Sequence, residues 1–528
     1  MTQVSDRTKR LRARSWTSLV WLAAVAGCTG QARLNELPEP THAEPAAGAS
    51  GSDGAGGSGG SAPLLPPPND GVAIGEPWRG DAGELGAGRP PRPIAGGNVA
   101  GSIGGGAGAV VLEPTLIDLE AHGYVQEELL LEGVATEHVA HGDLGLDGLW
   151  EALPVRSAPY VSRLIVRRPK DAADFNGTVL VEWLKVTSGA DTAMGFAFAR
   201  EELLRGGYAW VGVSVQQTGV DALRLADPVR YAPLSHPGDA FAYSIYAQAG
   251  AAIGWPGSID VMGGLPVERL IAYGQSLSAV RMITYVNAVH PLTRVYDGFI
   301  IHSRAGWGAP VGLESDSLLG DGTPVQVRSD LDVPVLQFIT ESEIFFPLGG
   351  TYHARQPDTA RLRTWEIAGA AHADQHLFGE GADLGCGPLN DGPQHLVLKA
   401  AVRAMHRWLA DGTPPPSSPS LQVTADKSAI ARDAYGLALE GVRTPAVDVP
   451  TAMVAGTAMP GTEWNPVCSL MGITVPFTPQ QLLALYPTHQ VYVDKVTAAA
   501  RAAREAGFIL AEEEATIIAD ALAAPIPH

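Results

Sequence analysis

Residues 268–278 read ERLIAYGQSLS: an apolar run, Leu270 to Tyr273, stops at Gly274, and Ser276 and Ser278 follow. Directly after comes AVRMITYVNAVHP, whose apolar spacing is helical. Strand, tight turn and helix succeed one another with no linker. So abrupt a reversal brings two backbones close together, and small residues are what such a turn tolerates. It also lifts the middle side chain, Ser276, off the sheet and towards solvent. A strand that feeds straight into a helix belongs to an α/β sheet with helices on its faces.

Further strand-like runs surround this unit. Before it lie YVQEELLLEG (124–133), PYVSRLIVRRP (159–169), GTVLVEW (177–183) and YAWVGVSV (208–215). After it lie VYDGFII (295–301), VPVLQFIT (333–340) and RLRTWEIAG (361–369). About eight strands, with helical stretches between the later ones, predict a mostly parallel, doubly wound sheet. No internal repeat is evident. Segments 216–240 and 303–330 are insertions placed to shape a pocket, and 440–528 is expected to pack as a C-terminal helical extension.

The G-x-S-x-S turn resembles the nucleophile elbow of the α/β-hydrolases, G-x-S-x-G, with Ser278 in the last glycine's place. That resemblance predicts an acid and then a histidine further along the chain, at the carboxyl ends of later strands. VPVLQFIT leads into Glu341-Ser342-Glu343, and RLRTWEIAG leads into Ala370-Ala371-His372. The chemistry needs these residue types. A serine hydroxyl is a poor nucleophile until a base takes its proton. Histidine titrates near neutrality, and a carboxylate on its far nitrogen fixes the tautomer. Glu343, a few residues into its loop, is preferred as the acid over Glu341. Backbone N–H groups should hold the developing oxyanion, one from Leu277 and one from Trp183 or Leu184 after TVLVEW.

Competing readings differ in what they need. His376 stands four residues after His372, a spacing that can bind zinc on a helix face, but Ala373 replaces the glutamate of H-E-x-x-H, so no metal is expected. His302 follows VYDGFII but precedes the acid, which breaks the expected order. The same triad also serves amidases, lactonases and acyltransferases. A hydrolase fold kept as a non-catalytic surface binding protein is a further alternative. It is disfavoured because serine, acid and histidine all sit at strand ends.

Longer segments carry a broader resemblance. NGTVLVEWLKVTSG (176–189), GGYAWVGVSVQQTGV (206–220), DPVRYAPLSHPGDAFAYSIYAQAG (227–250) and YGQSLSA (273–279) are among them. VPVLQFITESE (333–343), GAAHAD (369–374), AVRAMHRWLADGTPPP (401–416) and HQVYVDKVTAAARAAREAGFIL (489–510) complete the set. From about residue 115 to 528 the chain resembles bacterial alpha/beta hydrolase domain-containing proteins. The resemblance implies fold and reaction class, a serine hydrolase in which the G-x-S-x-S form is ordinary; a small-molecule ester is the expected substrate and no cofactor is expected. Glu343 stands where many relatives would carry aspartate.

The N-terminus is of a different kind. Arg7, Lys9, Arg10, Arg12 and Arg14 precede a short apolar run, Leu19 to Gly27, and then Cys28. This reads as a secretory signal over 1–27, too short to span a bilayer. Val25-Ala26-Gly27-Cys28 resembles a bacterial lipobox, which implies that Cys28 carries the lipid and that the mature protein is exported and held at the cell envelope. Thr29 in place of aspartate favours the outer membrane. Residues 28–108, rich in Gly, Ser, Ala and Pro, read as a flexible linker that buries too little to order itself. The hydrolase domain is then 109–528. The GGGAGA run at the end of the linker lacks the lysine and the strand of a phosphate loop. A formal net charge of −20 argues against a nucleic-acid partner, and no apolar run long enough for a transmembrane helix is present. Cys386 and Cys468 are the remaining cysteines. Export would allow a bridge between them, worth ~4 kcal/mol in the chain-entropy account.

Overall fold

The computed structural model describes residues 93–108, 110–112, 117–312, 322–382, 384–457 and 465–527. The signal segment, Cys28 and the greater part of the 28–108 linker lie outside the described residues. Nine strands form the main sheet: β1 (Asn98–Ser102), β2 (Tyr124–His141), β3 (Glu151–Pro169), β4 (Thr178–Trp183), β5 (Ala209–Val213), β6 (Arg269–Gln275), β7 (Gly298–His302), β8 (Val335–Thr340) and β9 (Leu362–Ile367). Their order is β1-β2-β3-β5-β4-β6-β7-β8-β9. The first three strands and β5 pair antiparallel, and β5 through β9 pair parallel. The elbow strand β6 therefore lies mid-sheet, flanked by β4 and β7.

The parallel strands are apolar on both faces, as a sheet covered on both sides requires. On one face Leu180, Ile271, Tyr273, Leu336 and Phe338 pack with helices α1 (Met194–Arg205) and α6 (Gln394–Asp411). On the other, Val181, Leu270, Ala272, Phe299 and Ile301 pack with α3 (Ala242–Gly254) and α4 (Leu277–Thr284). α2 (Gln217–Ala226) rises from the 216–240 insertion, and α5 (Glu341–Ile344) is the single turn that follows β8.

Two boundaries differ from the sequence reading. The segment NVAGS, assigned to the linker, is strand β1, paired from Asn98↔Glu132 to Ser102↔Leu129. Val99 is buried within it and Ile103 just after it, so two apolar side chains in a glycine-rich stretch suffice to dock an edge strand. The ordered domain thus begins before residue 109. The 440–528 extension is not wholly helical. β10 (Ala452–Ala455) and β11 (Ile473–Pro476) form a separate antiparallel pair, with α7 (Pro466–Met471) between them. After α8 (Pro479–Leu485), helices α9 (His489–Glu505) and α10 (Ala511–Ala523) follow. Glu513 of α10 ties the end of the chain to α1 through Arg205 at 2.9 Å and to α6 through Lys399 at 3.6 Å. Cys386 and Cys468 are joined in a disulfide with Cα atoms 5.1 Å apart.

Candidate active site

The rim where β4 to β9 end collects every residue singled out for chemistry. At the end of β6, Ser276 has φ 62° and ψ −126°, a left-handed conformation that costs a non-glycine residue ~1–3 kcal/mol. Its N–H donates to His302 O at 3.0 Å, which pins the turn to β7. Gly274 is needed for space: a Cβ there would lie 2.8 Å from Ser278 O. Ser278 itself is inside α4 and fully buried. The G-x-S-x-S form therefore satisfies the turn, because the tight approach is to the backbone of residue 278.

The turn after β8 separates the two glutamates. Glu343 Oε2 accepts from Thr340 N at 2.8 Å and from Thr340 Oγ1 at 2.7 Å, one half of a capping box on α5. That leaves Oε1 free to face His372 Nδ1 at 2.7 Å. Glu341 has a different set of partners: Gly369 N at 2.6 Å, Gly456 N at 3.0 Å and Arg432 at 2.7 Å. Its carboxylate is a buried brace between the β9 loop and the C-terminal segment.

His372 arrives on the loop after β9. Its N–H donates to Ser342 Oγ at 2.9 Å, and that hydroxyl donates to Gly456 O. Its Nε2 lies 2.9 Å from Ser276 Oγ. An ionised carboxylate can only accept, so Nδ1 carries the proton and Nε2 is left to accept from the serine hydroxyl. Glu343 and His372 are both buried while Ser276 is half-buried, so the chain of bonds opens to solvent at its nucleophilic end.

The surroundings are polar and buried. Gln275 Nε2 stands 3.3 Å from His372 Nε2. His302 is fully enclosed, bonded to the Tyr273 hydroxyl and, at 3.1 Å, to Gln394 Oε1. Burial pulls it down to about 3, so it is neutral. Burial also raises Asp374 to about 8 and Glu182 to about 7, and lowers the Lys185 ammonium to about 8. His376 stacks on the His395 ring, centroids 4.1 Å apart.

The oxyanion donors divide. Leu277 opens α4, so its N–H has no acceptor one turn back and stands beside Ser276 as expected. The Leu184 N–H is already taken by Val213 O at 3.2 Å, and Trp183 is the last paired residue of β4. The sheet ladder runs further than the sequence suggested and claims that donor. Thr340 and Ser342 were missed by the sequence reading. The first was legible, since Thr340-x-x-Glu343 has capping-box spacing. Nothing in the sequence signals the second.

Comparisons with known proteins agree with this architecture. A family model described as "Alpha/beta hydrolase domain" matches residues 91–519. No curated protein matches the chain. Among solved structures, a fungal esterase from Rhizomucor miehei is 13% identical, covering 57% of this chain and 94% of its own, with a TM-score of 0.30. Est1E from Butyrivibrio proteoclasticus is 12% identical, covering 52% and 99%, at 0.27. Esterase 2 of Thermogutta terrifontis is 16% identical, covering 42% and 84%, at 0.25. With TM-scores this low, nothing below rests on these three likenesses. The match across 91–519 is what assigns the protein: it belongs to the alpha/beta hydrolase domain family.

Proposed function

We propose that this hydrolase cleaves carboxylic esters through an acyl-enzyme, with Ser276 as nucleophile, His372 as general base and acid, and Glu343 as its orienting carboxylate. The observation that carries the reading is the continuous bond chain from Ser276 Oγ through His372 to Glu343, at 2.9 Å and 2.7 Å. His372 Nε2 takes the hydroxyl proton as Oγ attacks the ester carbonyl. Glu343 stabilises the imidazolium that results, and Leu277 N–H meets the oxyanion. His372 then returns the proton to the leaving alcohol. Water attacks the acyl-enzyme by the same route in reverse roles, releasing the carboxylic acid. Esters ask least of this machinery, because an alcohol leaves more readily than an amine.

The reading extends to an exported enzyme tethered at the cell envelope by a lipid on Cys28, supported by the basic n-region and the Val25-Ala26-Gly27-Cys28 run. Mass spectrometry of the mature N-terminus should find acylated cysteine; an unmodified N-terminus elsewhere rejects the anchor and leaves the chemistry untouched. For the chemistry, a panel of matched p-nitrophenyl esters and anilides is the test. Turnover of esters, lost in His372→Ala, is the expected result. Anilide turnover equal to or above ester turnover would make the protein an amidase instead.

A further inference from the structure

A second polar site adjoins the turn that carries Glu343, whose carbonyl accepts from Thr351 Oγ1 at 3.4 Å. It is a cavity of about 290 Å³ on the sheet face opposite α6, walled by Gln337 of β8, Glu366 of β9, Thr351, Arg355 and Asp358. Arg304, two residues past β7, forms part of its wall and is 1% exposed. Its Nε donates to Gln337 Oε1 at 2.8 Å and its Nη1 to Ala305 O at 3.0 Å. Among the described residues Nη2 has no partner, and no carboxylate lies within ion-pair distance of the guanidinium.

The other charges on the wall have ion-pair partners, although Asp358 Oδ2 accepts no hydrogen bond among the described residues. Arg355 holds Glu366 with two bonds, at 2.7 Å and 2.6 Å. Asp358 accepts from Thr364 N at 3.0 Å and faces Arg363 at 3.8 Å. One positive charge is left over, and a buried unpaired charge is costly. Burial without a nearby acid pulls Arg304 down to about 10.

We propose that this cavity binds a small monocarboxylate, its carboxylate seated on the Nη1–Nη2 edge of Arg304. A guanidinium edge matches a carboxylate's two oxygens in one plane. A single negative charge matches the one wall guanidinium that has no carboxylate partner, whereas a phosphate dianion would add excess charge beside Asp358 and Glu366. The volume of about 290 Å³ holds ~10 non-hydrogen atoms at ~30 Å³ each. The ligand class is thus an aromatic or short aliphatic acid.

Calorimetric titration of the full-length protein with benzoate and with inorganic phosphate tests the proposal. Benzoate should bind at one site and phosphate at least tenfold more weakly. Arg304→Gln should weaken benzoate at least tenfold, and so should Ser417→Trp, which fills the cavity from an exposed rim position. If Arg304→Gln does not fold, Ser417→Trp decides alone. No benzoate binding, binding that survives these substitutions, or tighter binding of phosphate overturns the proposal.

Discussion

At the residue scale, two glutamates two positions apart in the α5 turn have separate partners, and hydrogen bonding is what separates them. Glu343 has one oxygen clamped by Thr340 and the other on His372; Glu341 has both oxygens in a brace with Arg432, Gly369 and Gly456. Glu343→Gln should therefore cut kcat by ~10³-fold or more through loss of tautomer control, with little change in thermal midpoint. Glu341→Gln should do the reverse, leaving Arg432 without its carboxylate at a cost of ~2 kcal/mol, Arg432 being partly exposed, and changing kcat only modestly. Steady-state kinetics and thermal melts on both variants check this; a larger kcat loss at Glu341 would reverse the roles. That Ser276, His372 and Glu343 come together was legible because strand ends and residue chemistry are local. The brace on Glu341 was not, since its partners lie from 28 to 115 residues away in sequence.

At the element scale, the elbow is a geometric device and glycine is its limiting part. Gly274→Ala would place a methyl 2.8 Å from Ser278 O, and both partners are backbone in packed elements. The turn must shift, costing ~2–3 kcal/mol and moving Ser276 off His372. Chemical denaturation and kcat should both fall; an alanine variant with unchanged kcat would contradict this account of the turn. Two element misreadings share one cause. β1 was hidden because glycine-rich composition masked Val99 and Ile103. β2 and β3 run to His141 and from Glu151, far past the apolar runs that announced them. Their outer halves, TEHVAH and EALPVRS, carry polar side chains on strand edges that composition alone reads as loop. Conversely, the parallel strands were read nearly to the residue, because burial on both faces leaves uninterrupted apolar runs.

At the scale of the whole molecule, the C-terminal segment is structural support for the site. Gly456 contacts both Ser342 and Glu341, Leu470 O accepts from Ala373 N beside His372, and the Cys386–Cys468 bridge fastens α7 to the loop before α6. Sequence reading placed this segment outside the catalytic frame because none of its residues carries chemistry. Enclosing so many polar groups also sets a pH dependence. His302 has a folded value of about 3 against ~6.5 when unfolded. Between those limits the unfolded chain binds the proton and the folded chain does not. Stability from neutral His302 is thus complete above pH ~6.5 and is lost progressively as pH falls towards 3. Raised Glu182 and Asp374 act in the opposite sense, so the comparison must be with a variant. In His302→Gln, the loss of unfolding free energy between pH 7 and pH 5 should be smaller than in the parent by ~2 kcal/mol, read from urea titrations. An unchanged difference would place the acid sensitivity elsewhere. All of this exists to hold one serine in a strained turn beside one histidine. The most direct test is reaction of the full-length protein with a fluorophosphonate, followed by peptide mapping. A single adduct on Ser276, absent in Ser276→Ala and slowed by orders of magnitude in His372→Ala, is the predicted result. An adduct on Ser278 or any other residue, or none on the folded protein, would contradict the account.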